Sequence, residues 1–383
     1  ARLLKEDKVK FNKYNRMAKF TAPMYGGFDG VNIMDKDSYY FTDKSSSVET
    51  GGHGINYTSG LSETSNGMNG ERYSNNSINA FRSAIKIMTD ELVINHNVLV
   101  VPGIRDDLIT NYVAQRVKDY GKAIYLMDIP HYDSDDTRIF LDASGVTSLV
   151  SDADATANKF NGKDLDNNYV ATYFPDVTIL DQGDDLGASQ FNPRLVHVPS
   201  SVVALGALAK TDTNSQPWYA PAGFSRGSLA SVASVDSRLN AAERDTLYES
   251  RINPIASFPN NQFVIFGQKT TQVSRTALDR VNVRRLMIEI KSRIEKIALG
   301  LLFSQNDAQT RASFVASASR ELSDIQINSG IEDFRVIMDE SNNSDQDVDN
   351  NRLNGKIIVV PTRAVEFIAM DFIITNSGVE FPS

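Results

Sequence analysis

The chain has 383 residues, 41% of them hydrophobic and 23% charged, with a net charge of −9 and a pI near 5.1. That is the composition of folded domains, two or three at this length, and its acidity argues against general binding to nucleic acid, which needs clustered basic charge. Cysteine is absent, so disulfides, thiolate metal sites and cysteine nucleophiles are excluded.

No apolar run approaches the roughly 20 residues that span a bilayer, so no membrane insertion is expected. The start, Ala1-Arg2-Leu3-Leu4-Lys5-Glu6, has neither an initiator Met nor the apolar stretch of a signal peptide; a cut-down or processed chain is expected. Residues 41–70, rich in Ser, Gly, Asn and Thr, predict a long surface excursion. Ile78, Phe81, Ile85, Met88 and Leu92 then recur at helical spacing. Val98–Val101 predicts a buried strand, Asp106–Tyr120 a helix stopped by Gly121, and Ala123–Ile129 a second strand. Strand, helix and strand in that order predict a βαβ unit with parallel strands.

A second polar excursion is expected near 132–168, followed by a strand at Val177–Leu180 and a helix capped near Ser200. Val283, Leu286, Met287, Ile290, Ile294, Ile297 and Leu301 form one stripe of a long helix over 280–302, opposite a basic face of Arg284, Arg285, Lys291, Arg293 and Lys296. Glu289 and Arg293 stand at i,i+4 on it. Three strands follow, at Phe334–Met338, Lys356–Pro361 and Val365–Ile374, the first two joined by an acidic loop over 341–354. The fold class expected is a multidomain α/β and α+β protein. It has an N-terminal segment (1–20) packed on the C-terminal domain, a βαβ-containing middle domain (21–200) and an α+β C-terminal domain (201–383) with a long helix and terminal antiparallel strands.

Several motifs suggest catalysis. Gly223-Phe224-Ser225-Arg226-Gly227 matches a nucleophile elbow, which needs a strand before it and an acid and a His after it. All four histidines (His53, His96, His131 and His197) precede it, and Pro217 and Pro221 disfavour a central strand. Asp345, Asp347 and Asp349 imitate a calcium loop, but Asn350 stands where Gly is needed and Lys356 where a bidentate Glu is needed. The βαβ turn Val100-Val101-Pro102-Gly103-Ile104 has a single glycine of the dinucleotide fingerprint, and Asp106 and Asp107 beside it would repel a phosphate. The best enzymatic alternative is a metal-dependent hydrolase using Asp128, His131, Asp133, Asp135 and Asp136, which follow a parallel strand.

Three further segments carry a resemblance. Trp218-Tyr219-Ala220-Pro221-Ala222-Gly223-Phe224-Ser225-Arg226-Gly227, Arg244-Asp245-Thr246-Leu247-Tyr248 with Ile252-Asn253-Pro254, and Asp279-Arg280-Val281-Asn282-Val283-Arg284-Arg285-Leu286 resemble, in order, signatures of the contractile tail sheath family of myoviruses. Tyr25-Gly26-Gly27-Phe28-Asp29-Gly30 is similar to a glycine-rich segment upstream of that family's middle domain. The excursions over 41–70 and 132–168 have no counterpart in it.

The resemblance implies a structural virion subunit, made in the host bacterial cytoplasm. It would polymerise helically around an inner tail tube above a baseplate and contract to drive the tube through the host envelope for genome delivery. It implies neighbouring sheath subunits, the tube protein and the baseplate as partners, no nucleic acid, and no catalytic residue, cofactor or metal. Arg280, Arg284 and Arg285 are expected to face the tube, and Val365, Phe367, Ile368, Phe372 and Ile374 to form an assembly strand leading into a C-terminal arm. The family's short N-terminal arm is not visible before Lys5, which implies an assembly-defective core. A non-contractile baseplate or binding module sharing the closing domain is the other alternative.

Overall fold

The computed structural model describes residues 76–139, 150–163, 165–181, 194–259 and 262–366. The chain divides into one unit of 1–84 with 141–146 and another of 85–140 with 147–383; apart from the start of the first helix, every element below lies in the second. The expected excursion over 41–70 and the segment Tyr25–Gly30 fall outside the described residues. No helix among the described residues is long and apolar enough to cross a membrane.

Helix α1 (Asn76–Met88) leads to β1 (Val98–Val100), α2 (Asp107–Tyr120) and β2 (Ile124–Met127). The Asp106 carboxylate accepts from the Leu108 N–H at the start of α2, and Gly121, at φ 65°, ends it. β1 and β2 are parallel, Val98 opposite Ile124, as the sequence pattern predicts. β5 (Val170–Phe174) joins β2, and β9 (Ile252–Phe258) joins β5, both parallel. β10 (Gln262–Ile265) closes the far edge antiparallel, giving a sheet ordered β1-β2-β5-β9-β10. β2 and β5 are buried along their whole length, as strands covered on both faces must be.

Residues 132–168 are not a bare excursion. Among them stand the β3–β4 hairpin (His131–Tyr132 and Arg138–Ile139) and α3 (Ala153–Asn161), the helix that carries the chain from β2 to its parallel neighbour β5. Its burial comes from small residues, Ala153, Ala155 and Ala157, with Phe160; alanine carries little apolar signal. A second sheet, β7-β6-β8, is antiparallel throughout, from β6 (Val177–Asp181), β7 (Arg194–Val198) and β8 (Val232–Val235). Helix α4 (Ser200–Asn214) packs on β1, β2 and β5. The domain border expected at 200/201 therefore falls inside one packed layer, since α4 covers the sheet and β9 and β10 complete it.

Short α5 (Gly223–Arg226) and α6 (Ala241–Glu249) precede β9, α6 starting in a capping box between Asn240 and Glu243. The Asn253-Pro254 pair lies inside β9, not at a break. Asn253 Nδ2 donates to the carbonyls of Thr172 (3.0 Å) and Lys269 (2.8 Å), while its Oδ1 accepts from the Lys269 N–H at 2.6 Å.

α7 (Val281–Leu299) is the long amphipathic helix expected. It is followed by a helix that the apolar pattern does not reveal at first sight, α8 (Ala308–Ile327), rich in Ala and Ser, which buries Phe314, Ala318, Leu322 and Ile325. β11 (Ile331–Ile337) and β12 (Lys356–Pro361) form an antiparallel hairpin, with α9 (Asp345–Asp349) in its connection. One core gathers Ile124, Leu126, Tyr173, Leu208, Ile255 and Ile288. A second gathers Trp218, Leu286, Ile290, Leu322, Ile325 and Ile331, and α7 contributes to both. Leu322 is fully buried in the second core. Leu322→Ala is expected to cost about 2–5 kcal/mol, read as a lower urea midpoint; an unchanged midpoint would show that α8 does not pack as described.

Candidate functional site

The carboxyl ends of parallel strands are where α/β folds place chemistry. Two carboxylates stand there, Asp128 just past β2 and Asp176 just past β5, both fully enclosed. Asp128 Oδ2 accepts from the Gly103 N–H (2.8 Å) and Ser201 Oγ (2.7 Å), and Oδ1 accepts from the Ser201 N–H (3.1 Å). Asp176 Oδ1 accepts from the Ser200 N–H (2.9 Å), and its Oδ2 pairs with the buried Arg105 guanidinium. Both acids thus grip the first turn of α4, satisfying N–H groups that a helix leaves free at its positive end. The Gly103 amide, which a dinucleotide fold would offer to phosphate, is held by Asp128.

Burial pushes Asp128 up to about 6 despite Arg105, with the charge on Asp176 adding to the rise. Burial would raise Asp176 as well, but Arg105 outweighs it, helped by His131 and the Ser200 N–H, and its carboxyl sits below the usual range. His131 is buried edge-on to Phe174, ring centroids 4.8 Å apart, and burial pushes it down to about 3. On the neighbouring sheet His197 Nε2 lies 2.7 Å from Asp236 Oδ2, and that hydrogen bond raises His197. Asp176, His197 and Asp236 bring their ligand-type atoms within 4.8 Å of one another.

The cluster expected from sequence is split. Asp128 and His131 enter this network. Asp133 turns its carboxylate onto the Asp135 and Thr137 amides of its own hairpin, and Asp136 is exposed beside Lys159. Arg105, Asp176, His197 and Asp236 are the members that sequence reasoning missed; two of them directly follow strands, which is the signal that could have found them. Ser225 lies exposed on α5, in a turn that no strand precedes. In the acidic loop Asp347 accepts from the Ser344 N–H (3.0 Å) and Oγ (2.6 Å), and Asn343 exchanges hydrogen bonds with Asn354.

The three arginines expected to face a tube are engaged within the chain. Arg285 is 3% exposed and reaches both oxygens of Asp212, at 2.5 and 2.6 Å. Arg284, 6% exposed, lies 4.0 Å over the Tyr169 ring. Two adjacent positions cannot share a solvated face with Lys291 once α7 is covered on both sides by the two cores. Arg280 is bidentate to Glu366, at 2.6 and 3.0 Å, and Tyr248 and Gln268 also donate to that carboxylate, at 2.8 and 3.1 Å. This clamp ties the stretch after β12 to the start of α7. Among the expected assembly-strand residues only Val365 is described, exposed and outside any strand; Phe367, Ile368, Phe372 and Ile374 lie outside the described residues. Trp218 donates through Nε1 to the Asn328 carbonyl at 3.0 Å, beneath Arg293, which pairs with Glu289 as predicted.

The described residues form a mixed α/β, multidomain fold with several sheets. Residues 83–271 match the phage tail sheath protein central domain, and 273–375 the phage tail sheath C-terminal domain. The chain belongs to the phage tail sheath family. It is 37% identical over 217 residues to the tail sheath protein of Vibrio phage KVP40, covering 57% of this chain and 32% of that one. To the tail sheath protein of Enterobacteria phage T4 it is 33% identical over 184 residues, covering 48% and 28%. The chain spans about a third of the length of the curated relatives it matches. The same fold occurs in the sheath complex of an extracellular contractile injection system in its contracted state (TM-score 0.57, 20% identity, 76% of this chain and 74% of that one). It occurs too in the contracted helical sheath of the anti-feeding prophage (TM-score 0.56, 19%, 76% and 73%).

Two predictions follow from the buried charges. Below pH 6.5 an unfolded histidine takes up a proton that buried His131 refuses down to about pH 3. Stability therefore falls as pH drops through that window, by at most about 1.4 kcal/mol per unit. His131→Gln should flatten this acid limb in urea titrations run with chelator, and an unaltered slope would refute the assignment. Arg285→Met should destabilise the isolated subunit by about 1–3 kcal/mol, whereas an arginine free to meet a tube would leave its melting temperature unchanged.

Proposed function

We propose that this chain is the body of a contractile tail sheath subunit, which polymerises helically around the tail tube and contracts to drive the tube through the host envelope for genome delivery. The observation that carries the reading is the match of two consecutive sheath domains in family order over residues 83–375. The partners are neighbouring sheath subunits, the tube and the baseplate, and the place of work is the virion tail, after synthesis in the host cytoplasm. The role is non-enzymatic. Tight enclosure of Asp128 and Asp176, with their oxygens occupied, supports that reading over a hydrolase.

The geometry of the β11–β12 hairpin suits such a role. Among the described residues β12 has a strand on one side only. Ile357 and Val359 face the second core, while Ile358 and Val360, 45% and 46% exposed, present apolar side chains on the opposite face. An edge of this kind accepts a strand from another chain through main-chain hydrogen bonds. Heterologous contacts of that sort propagate a helix of subunits. The C-terminal stretch containing Val365, Phe367, Ile368, Phe372 and Ile374 is proposed as the donated strand. Of the expected tube-facing residues, Arg284 and Arg285 are enclosed, and Arg280, 27% exposed, is paired with Glu366.

Electron microscopy of the full-length protein should show long, hollow, striated tubes. Ile358→Lys combined with Val360→Lys should abolish them while leaving the melting temperature of the subunit within a degree or two. Tubes of normal length from the double variant would remove the β12 edge from the interface. Full-length protein that forms no tubes would argue instead for a baseplate-type module.

A further inference from the structure

The two ends of the β11–β12 hairpin are chemically unlike. At one end, Ser329 and Gly330 just before β11 and Thr362, Arg363 and Ala364 just after β12 line a cavity of about 550 Å³. Three guanidinium groups line it too, those of Arg226, Arg244 and Arg363, and among the described residues none of them pairs with a carboxylate. Arg226 lies over the Tyr219 ring at 5.2 Å and Arg244 over Phe266 at 5.7 Å, stacking that holds the cations without neutralising them. Two carboxylates share the wall, Asp245 and Glu366, and Glu366 is taken up by Arg280. Gln268 and Asn282, 4% and 5% exposed, also line the cavity, and each keeps a side-chain oxygen without a hydrogen-bond partner. A buried acceptor left unpaired is costly, and a ligand bringing N–H donors would remove that cost.

The opposite end of the hairpin is the acidic connection. Residues 339–351 hold five carboxylates, Asp339, Glu340, Asp345, Asp347 and Asp349, and no basic side chain. Asp339 and Asp347 turn back onto Ser341 and Ser344, whereas Glu340 and Asp349 are exposed with no partner among the described residues. Beside Asp349 stand Asn350 and Asn351, both exposed, with Asn351 in the left-handed region at φ 56°. Their side-chain amides carry N–H donors of the kind that Gln268 and Asn282 lack. The 6 residues of β12, at about 3.3 Å each, set the connection and the cavity about 20 Å apart.

We propose that the acidic connection of one copy docks in the cavity of the next, with Asp349 toward Arg363 and the asparagine amides toward the two unpaired oxygens. The two complementary surfaces stand at opposite ends of one hairpin, so the contact is head-to-tail, the kind that propagates a helix of subunits. The proposal rests on the reading of the chain as a sheath subunit. It adds a salt-sensitive contact between side chains to the main-chain pairing at the β12 edge. Charge decides against another occupant. Residues 1–20 carry seven basic and two acidic side chains, the wrong sign for a cavity lined by three arginines.

The chain has no cysteine, so full-length protein carrying Asn350→Cys and Ala364→Cys offers one thiol at each end of the hairpin. A bis-maleimide should join its copies into ladders on denaturing gels, and protein with either cysteine alone should run as monomer. Arg363→Glu and Asp349→Lys should each raise the concentration needed for tubes tenfold or more, with the melting temperature of the subunit unchanged. Combining the two should restore wild-type assembly. Tubes in the electron microscope without a ladder, or single variants that assemble as wild type does, overturn the docking and leave the sheath reading standing. A ladder without tubes overturns the sheath reading and supports the docking, and the lack of both overturns both. A cross-link from Ala364→Cys to Lys8→Cys, in place of Asn350→Cys, would give the cavity to the N-terminal residues and overturn the proposal.

Discussion

The first half of α7 is enclosed from both sides, and most of the body depends on that. Val281 and Ile288 belong to the core beneath the five-stranded sheet, and Leu286 and Ile290 to the core under the β11–β12 hairpin. A single helix with apolar residues all round is normally the centre of a larger protein, and here it is the shared wall of two cores. The consequence for charge is direct. Arg284 and Arg285 have no exposed face to occupy, so each must find its partner inside, Tyr169 for one and Asp212 for the other. Deep burial of guanidinium groups is tolerated when planar donors meet planar acceptors or rings. The two cores are joined through this helix, because separating them would strip α7 of half its apolar neighbours.

Buried charge also fastens the other side of the sheet. Asp128 and Asp176 project from the ends of neighbouring parallel strands and accept from the first amides of α4. A buried ion pair such as Arg105–Asp176 gives little net stability relative to well-packed apolar residues, because desolvation offsets the attraction. It is strict about geometry, however: a misplaced α4 would leave charged oxygens unpaired in a dry interior. The network acts on register rather than on total stability, and it holds α4 against β1, β2 and β5 at one position along the sheet.

The sequence made the βαβ unit legible because α2 carries a full set of signals: an Asp cap, a regular apolar face of Ile109, Val113 and Val117, and a left-handed glycine stop. It hid α3 and α8 because both bury alanine. In α8 the recurrence of Phe314, Ala318, Leu322 and Ile325 is helical, but Ala318 and the surrounding Ser residues dilute its contrast. The α7 stripe is readable, yet hydrophobicity alone does not show that the polar-looking positions 284 and 285 are turned toward the core beneath the five-stranded sheet. Burial of Arg is decided by long-range partners, and Asp212 is more than seventy positions upstream. The same limit explains the site. Asp128 and His131 are close in sequence, whereas Asp176, His197 and Asp236 come together only through the pairing of β6 with β7 and β8.

These features suit the role proposed for the chain as the body of a contractile sheath subunit. A contracting assembly needs its subunits to rotate as solid bodies while flexible connections hold neighbours together. In this body, α7 welds the two cores and the carboxylates pin α4, so internal shear would have to break buried ionic contacts. Glu366 is held by Arg280, Tyr248 and Gln268 from three different segments of the chain. Through Arg280, the residue just before α7, that carboxylate is tied to the element that both cores share.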